Sequence, residues 1–140
     1  MTVLIDTNVV LDVMLNNAGL VAGSRALLDL AEKRQFIGYI SASAITDIFY
    51  ISRKKLGKKT AREAIKHLMN IYYPATVTDK DIYKALDMTW DDFEDSVQFS
   101  VGEGLSVEYI VTRNTQDFSS GHIPTVTPEQ FIKIITDTTK

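Results

Sequence analysis

Four aspartates, Asp6, Asp47, Asp95 and Asp117, stand in this sequence at positions from which they could act together. Asp6 follows Val3-Leu4-Ile5 directly, so its carboxylate belongs at the carboxyl end of a buried strand, where it could equally cap the next helix. Asp47 lies in Ser-Ala-Ser-Ala-Ile-Thr-Asp-Ile-Phe-Tyr between Ile45 and Ile48, and faces either solvent or the strand-end crevice. Asp95 belongs to an acidic helix start with Asp91, Asp92 and Glu94, a placement the helix dipole favours by about 0.3–1 kcal/mol. Helical spacing would put Asp91 on one face with Glu94 and Asp95. Asp117 sits in the polar turn after a strand ending at Thr112, where an aspartate is ordinary turn chemistry. If the ends of these four elements converge, their carboxylates repel, and either protons or a hard divalent cation must neutralise them. Oxygen ligands without Cys or His select Mg²⁺ or Mn²⁺. Neither His67 nor His122 has a partner at ligand spacing. A cation so held suits hydrolysis of a phosphate ester.

The elements that would position these acids alternate. Residues 2–5 read as a first strand, followed by helical periodicity over 21–35 and 42–55 around a strand at 36–40. Thr60 and Glu63 have capping-box spacing, predicting a helix over 60–72 that Pro74 closes. A short strand is expected at 75–77 and a helix capped by Thr78 over 79–88. A further helix opens at 91–95 and runs through Gly102. Strands are expected at 109–112 and 123–126, and Pro128 starts a terminal helix. Strands alternating with helices imply an α/β fold, a three-layer α/β/α sandwich around a mainly parallel sheet. Ligands of such sheets bind at the carboxyl ends of the strands, the edge at which Asp6 and Asp117 are expected.

At 140 residues, with 45% hydrophobic and 24% charged content, the chain suits one globular domain, 1–140. The absence of cysteine excludes thiol nucleophiles, Cys-ligated zinc and iron–sulfur chemistry. The formal net charge of −3 and pI near 5.3 do not resemble a general electrostatic footprint for nucleic acid. No signal-like segment or membrane-length apolar run is evident, so a cytoplasmic protein is expected.

Taken in order, Val3-Leu4-Ile5-Asp6-Thr7-Asn8, Ser41-Ala42-Ser43-Ala44-Ile45-Thr46-Asp47-Ile48, Asp92-Phe93-Glu94-Asp95-Ser96-Val97-Gln98 and Ile110-Val111-Thr112-Arg113-Asn114-Thr115-Gln116-Asp117-Phe118 resemble the PIN-domain family. The likeness extends to the closing Thr127-Pro128-Glu129-Gln130-Phe131. It implies a Mg²⁺- or Mn²⁺-dependent endoribonuclease, often the toxin of a VapBC-type toxin–antitoxin pair and usually a homodimer. By position, the resemblance makes Asp6, Asp95 and Asp117 metal ligands and makes Asp47 a fourth catalytic acid where the family most often has Glu. It makes Asn8, Thr112 and Asn114 supporting groups, with Asp92 a reserve ligand. The implied reaction is hydrolysis of single-stranded RNA with a 3′-hydroxyl leaving group.

An acidic site repels phosphate, so cations must hold the strand. Arg53, Lys54, Lys55, Lys58 and Lys59 form one basic run, and Arg113 is another candidate; the run also reads as a solvated inter-helix loop. Tyr72, Tyr73, Phe93 and Phe99 could stack bases, though aromatics at helical spacing are more often core. Val10, Leu11 and Val13 suit either a dimer face or the core. Two other functions compete. A PIN-fold RNA-binding or protein-interaction module with little nuclease activity is kept open by Asp47 replacing Glu. A phosphatase using Asp6 as nucleophile is disfavoured because Asn8 stands where a second acid is generally needed.

Overall fold

In the computed structural model, residues 1–138 are described. Five strands, β1 (Thr2–Ile5), β2 (Ile37–Ser41), β3 (Tyr73–Ala75), β4 (Tyr109–Val111) and β5 (Thr125–Val126), form one sheet in the order β3-β2-β1-β4-β5. Every neighbouring pair is parallel. The helices are α1 (Thr7–Met14), α2 (Val21–Glu32), α3 (Ala42–Leu56), α4 (Lys58–Leu68), α5 (Asp79–Asp87), α6 (Phe93–Gly104) and α7 (Pro128–Thr138), with a 3₁₀ turn at Thr115–Phe118.

The period of two along a strand divides the core. Val3 and Ile5 of β1 and Val111 of β4 join the apolar cluster of α1–α4 and α7, which contains Val9, Leu27, Ile48, Leu68 and Phe131. Leu4 and Ile110 point the other way, into a cluster with Ala85 of α5 and Val97, Phe99 and Val101 of α6. The sheet is therefore covered on both faces, the expected α/β/α sandwich. Among the described residues no helix is long and apolar enough to cross a membrane.

Several local expectations are corrected. Thr7–Met14 is a full helix rather than only a capping turn. The helix expected over 60–72 starts at Lys58 behind Gly57, whose φ of 84° suits a residue without Cβ, so Thr60 is not its cap. Pro74 lies inside β3 rather than closing a helix, and the strand expected at 75–77 lies two residues earlier, at Tyr73–Ala75. That strand is at the sheet's edge, where a missing N–H is tolerated. Asp91 precedes α6, whose N-cap is Asp92, so it does not share a helical face with Glu94 and Asp95. Val10 is buried, and Leu11 and Val13 pack against the same cluster, which assigns them to the core.

One buried charge ties α1 to the segment after β4. Asp12 is 0% exposed, accepts from Asn17 Nδ2 at 3.0 Å, and pairs with Arg113 Nε at 2.9 Å. Removing one partner of a buried pair strands the other charge. Arg113→Met is expected to cost about 3 kcal/mol of stability in urea denaturation. The double variant Asp12→Leu, Arg113→Met should recover most of that loss.

Candidate active site

The strand order reverses between β1 and β4, the position at which an open parallel sheet forms its ligand crevice. Ile5 is in register with Val111, and Asp6 N donates to Val111 O at 2.9 Å, so Asp6 and Thr112 emerge side by side at this edge. Asp6 is only 6% exposed. Its Oδ1 accepts from Thr7 N at 2.7 Å and from Gln98 Nε2 at 3.0 Å, while Oδ2 accepts from Thr112 Oγ1 at 2.7 Å and Asn8 Nδ2 at 3.3 Å. The bond to Thr7 N is also the N-cap of α1, so capping and site are served by one carboxylate. Burial raises the Asp6 pKa despite the bonds from Thr112, Gln98 and Thr7, with the Asp117 charge adding to the rise.

These donors are themselves fixed. Asn8 Nδ2 also reaches Thr112 Oγ1 at 3.2 Å, and its Oδ1 accepts from Arg113 N at 3.3 Å. Asn114 N donates to Thr112 Oγ1 at 3.1 Å, the backbone of Asn114 thereby bracing the turn that carries Asp117. Gln98 is drawn from the inward side of α6, where Ser96 through Gly102 are all buried.

The other acids arrive from α3, α6 and the 3₁₀ turn. Asp95 is half-buried, and its pKa is pushed up to about 7, first by desolvation and then by the charges of Asp6, Asp92, Asp117 and Glu94. Glu94 likewise rises to about 7, through burial, a hydrogen bond with Asp47 and the charges of Asp47 and Asp6, against a bond from Thr7. Thr7 Oγ1 stands 3.3 Å from Glu94 Oε1. Asp47 and Glu94 thus face each other across the crevice. Asp92 spends one oxygen on the N-cap of α6, accepting from Asp95 N at 3.0 Å.

Glu94 and Gln98 are the site residues missed in sequence. Glu94 reads as dipole chemistry alone, although its place beside Asp95 on a first helical turn was a usable signal. Gln98 has no marker beyond being a polar residue in an apolar helix face. The basic run is elsewhere: Arg53, Lys54 and Lys55 occupy the last turn of α3, roughly two turns beyond Asp47, and Arg53 lies 4.9 Å from the Tyr50 ring centre. Lys58 and Lys59 start α4. The Arg113 side chain is engaged by Asp12. Of the candidate stacking aromatics, Tyr72 and Phe99 are buried, whereas Tyr73 and Phe93 are exposed.

The donor set fits a hard divalent cation, because it consists of oxygen and carries like charges that resist burial together. Among the described residues no group of three acids or histidines is arranged to hold an ion by itself. Water would complete much of the shell, which suits Mg²⁺.

The chain matches the PIN domain family over residues 2–116 and belongs to it. Solved structures of similar fold include VapC20 of Mycobacterium tuberculosis, described as a sarcin–ricin loop cleaving toxin, at 13% identity and TM-score 0.68, covering 85% of this chain and 95% of that one. A toxin–antitoxin complex from Klebsiella pneumoniae aligns at 19% identity and TM-score 0.67, covering 90% and 97%. VapBC2 of Rickettsia felis, bound to a promoter DNA fragment, aligns at 13% identity and TM-score 0.68, again covering 90% and 97%. No curated protein matches the sequence.

The raised acids have a thermodynamic consequence. Glu94 and Asp95 hold protons more tightly when folded, with pKa values near 7 against ordinary values of 4.5 and 3.8. The unfolded chain therefore binds fewer protons between those values, and their contribution to stability declines as pH rises from about 4 to 7. Thermal denaturation of the metal-free chain should show this slope, and the double variant Glu94→Gln, Asp95→Asn should flatten it. Added Mn²⁺ should raise the Tm more at pH 8 than at pH 5.5.

Proposed function

We propose that the chain is a Mg²⁺- or Mn²⁺-dependent endoribonuclease acting on single-stranded RNA. The observation that carries this reading is the buried Asp6 carboxylate, held by four donors at the sheet's switch point and electrostatically coupled to Asp95, Asp117 and Glu94.

In this reading Asp6, Asp95 and Asp117 would hold the cation together with its bound waters. When bound, the ion supplies Lewis-acid polarisation of a phosphate oxygen and a more acidic water. Asn8, Thr112, Gln98 and the Thr7 amide keep the Asp6 carboxylate in one orientation, so little reorganisation is needed as the substrate binds. Asp47, paired with Glu94, orients the attacking water and accepts its proton. The shorter Asp47 is thereby matched by a longer acid on the facing helix. A net-acidic crevice cannot hold an RNA backbone unaided, which makes the cation necessary for binding as well as for chemistry.

Membership of the PIN family and the fold shared with toxin–antitoxin assemblies also support a cognate antitoxin. A basic side chain, best an arginine, would occupy the acidic crevice and displace the cation. A homodimer belongs to the same proposal.

Incubation with labelled single-stranded RNA should give cleavage that requires Mg²⁺ or Mn²⁺ and is abolished by chelation, with 3′-hydroxyl products. Asp6→Asn should lower the rate by more than about a hundredfold, beyond the usual effect of losing an outer partner of a metal site. Metal-independent binding of RNA without cleavage would instead favour the interaction-module reading.

A further inference from the structure

Beside the acid centre the surface opens into a cavity of about 530 Å³ between the segment before α6 and the 3₁₀ turn. Asp95 and Asp117 form the wall it shares with the centre, and Trp90, Asp91, Gln116, Ser119 and Ser120 line the remainder together with Asp92. Trp90 is half-buried and fixed from behind, its ring centre 4.9 Å from Phe99 and 6.0 Å from Phe118. Both supports are rigid: Phe118 is fully buried, and Phe99 lies so close to Gly121 that a Cβ there would overlap its ring. An immobilised indole on a cavity wall is a stacking surface whose ordering cost is already met in the free protein.

We propose that this cavity is a nucleobase subsite, in which a base next to the scissile phosphate stacks on Trp90 and presents N–H donors to the surrounding oxygens. The inference rests on the nuclease reading and names which part of the RNA the neighbouring cavity receives. The lining contains no lysine, arginine or histidine, so a phosphate is a poor occupant. Its carboxylates, hydroxyls and amide favour a planar neutral group rich in donors. Guanine fits best, because N1–H and the exocyclic amine lie side by side and can both donate to one carboxylate. Asp91 is exposed and free of the cap that occupies one oxygen of Asp92, which makes it the principal reader. Because Asp95 and Asp117 belong to both places, a base seated here is within a nucleotide's reach of the phosphate at Asp6. Unstacked bases read on aromatic side chains and by edge contacts are the usual means of single-strand selectivity.

Trp90 is the chain's single tryptophan, so its fluorescence reports the subsite directly. The full wild-type chain, in Mg²⁺, would be titrated with the pentanucleotides UUGUU and UUUUU carrying cleavage-resistant phosphorothioate linkages. Quenching with about tenfold tighter binding of UUGUU is expected, and Asp91→Asn should remove most of that preference. Trp90→Ala, followed by polarisation of a labelled UUGUU, should weaken binding about tenfold. Equal affinity for both oligomers, or binding without quenching, would overturn the subsite. Quenching by an arginine-containing peptide but by neither oligomer would also overturn it in favour of a protein partner. The two readings separate: guanine-dependent quenching in a wild-type chain that cleaves no RNA leaves the subsite and removes the nuclease, whereas cleavage without quenching does the reverse.

Discussion

A carboxylate at the carboxyl end of a central parallel strand must be buried, because strands on both sides and helices on both faces exclude water from it. Asp6 is in that position, and the rest of the site answers to the resulting electrostatic problem. Donors from β1's own continuation, from α6 and from β4's continuation satisfy its two oxygens. They do not offset the desolvation, and the Asp6 pKa remains raised. Around this group the fold places further acids, whose charges raise the cost of ionising Asp6, Glu94 and Asp95. An assembly like this is a poor way to stabilise a protein; in the proposed reading a bound cation would neutralise the charge that burial leaves unbalanced.

The architecture makes this convergence possible. The switch between β1 and β4 leaves a gap at the sheet edge, toward which α3, following β2, and α6, preceding β4, carry their acids. Asp47 needs Glu94, Asp95 needs Asp92 as the cap of its helix, and Asp117 needs the Thr112–Asn114 turn braced by Asn8. Arg113 contributes from the opposite direction: by pairing with Asp12 it fastens that turn to α1. The candidate site and the Arg113–Asp12 pair, whose carboxylate is fully buried, therefore share a segment.

The layered fold was legible because the strands β1, β2 and β4 are short apolar runs, α2 and α3 keep a helical period, and α6 opens on a cluster of acids. Polar surface helices were less so: α4 begins at Lys58 because Gly57 turns the chain, and no apolar pattern marks that start. Pro74 misleads for a different reason, since whether a strand tolerates it depends on the strand's being at an edge, a fact of topology. The four aspartates were visible through their motif positions. What they touch was not: Glu94 facing Asp47, Gln98 donating to Asp6 and Asp12 holding Arg113 all join residues distant in sequence, and no local pattern encodes them. Trp90 escaped notice because its role comes from the cavity beside it.

A crystal soaked in Mn²⁺ and measured for anomalous scattering tests the central claim most directly. The account predicts a peak at the β1–β4 edge with oxygens of Asp6, Asp95 and Asp117 directed at it, some through water. No peak there at saturating Mn²⁺, or an ion bound only at distant surface acids, would contradict it.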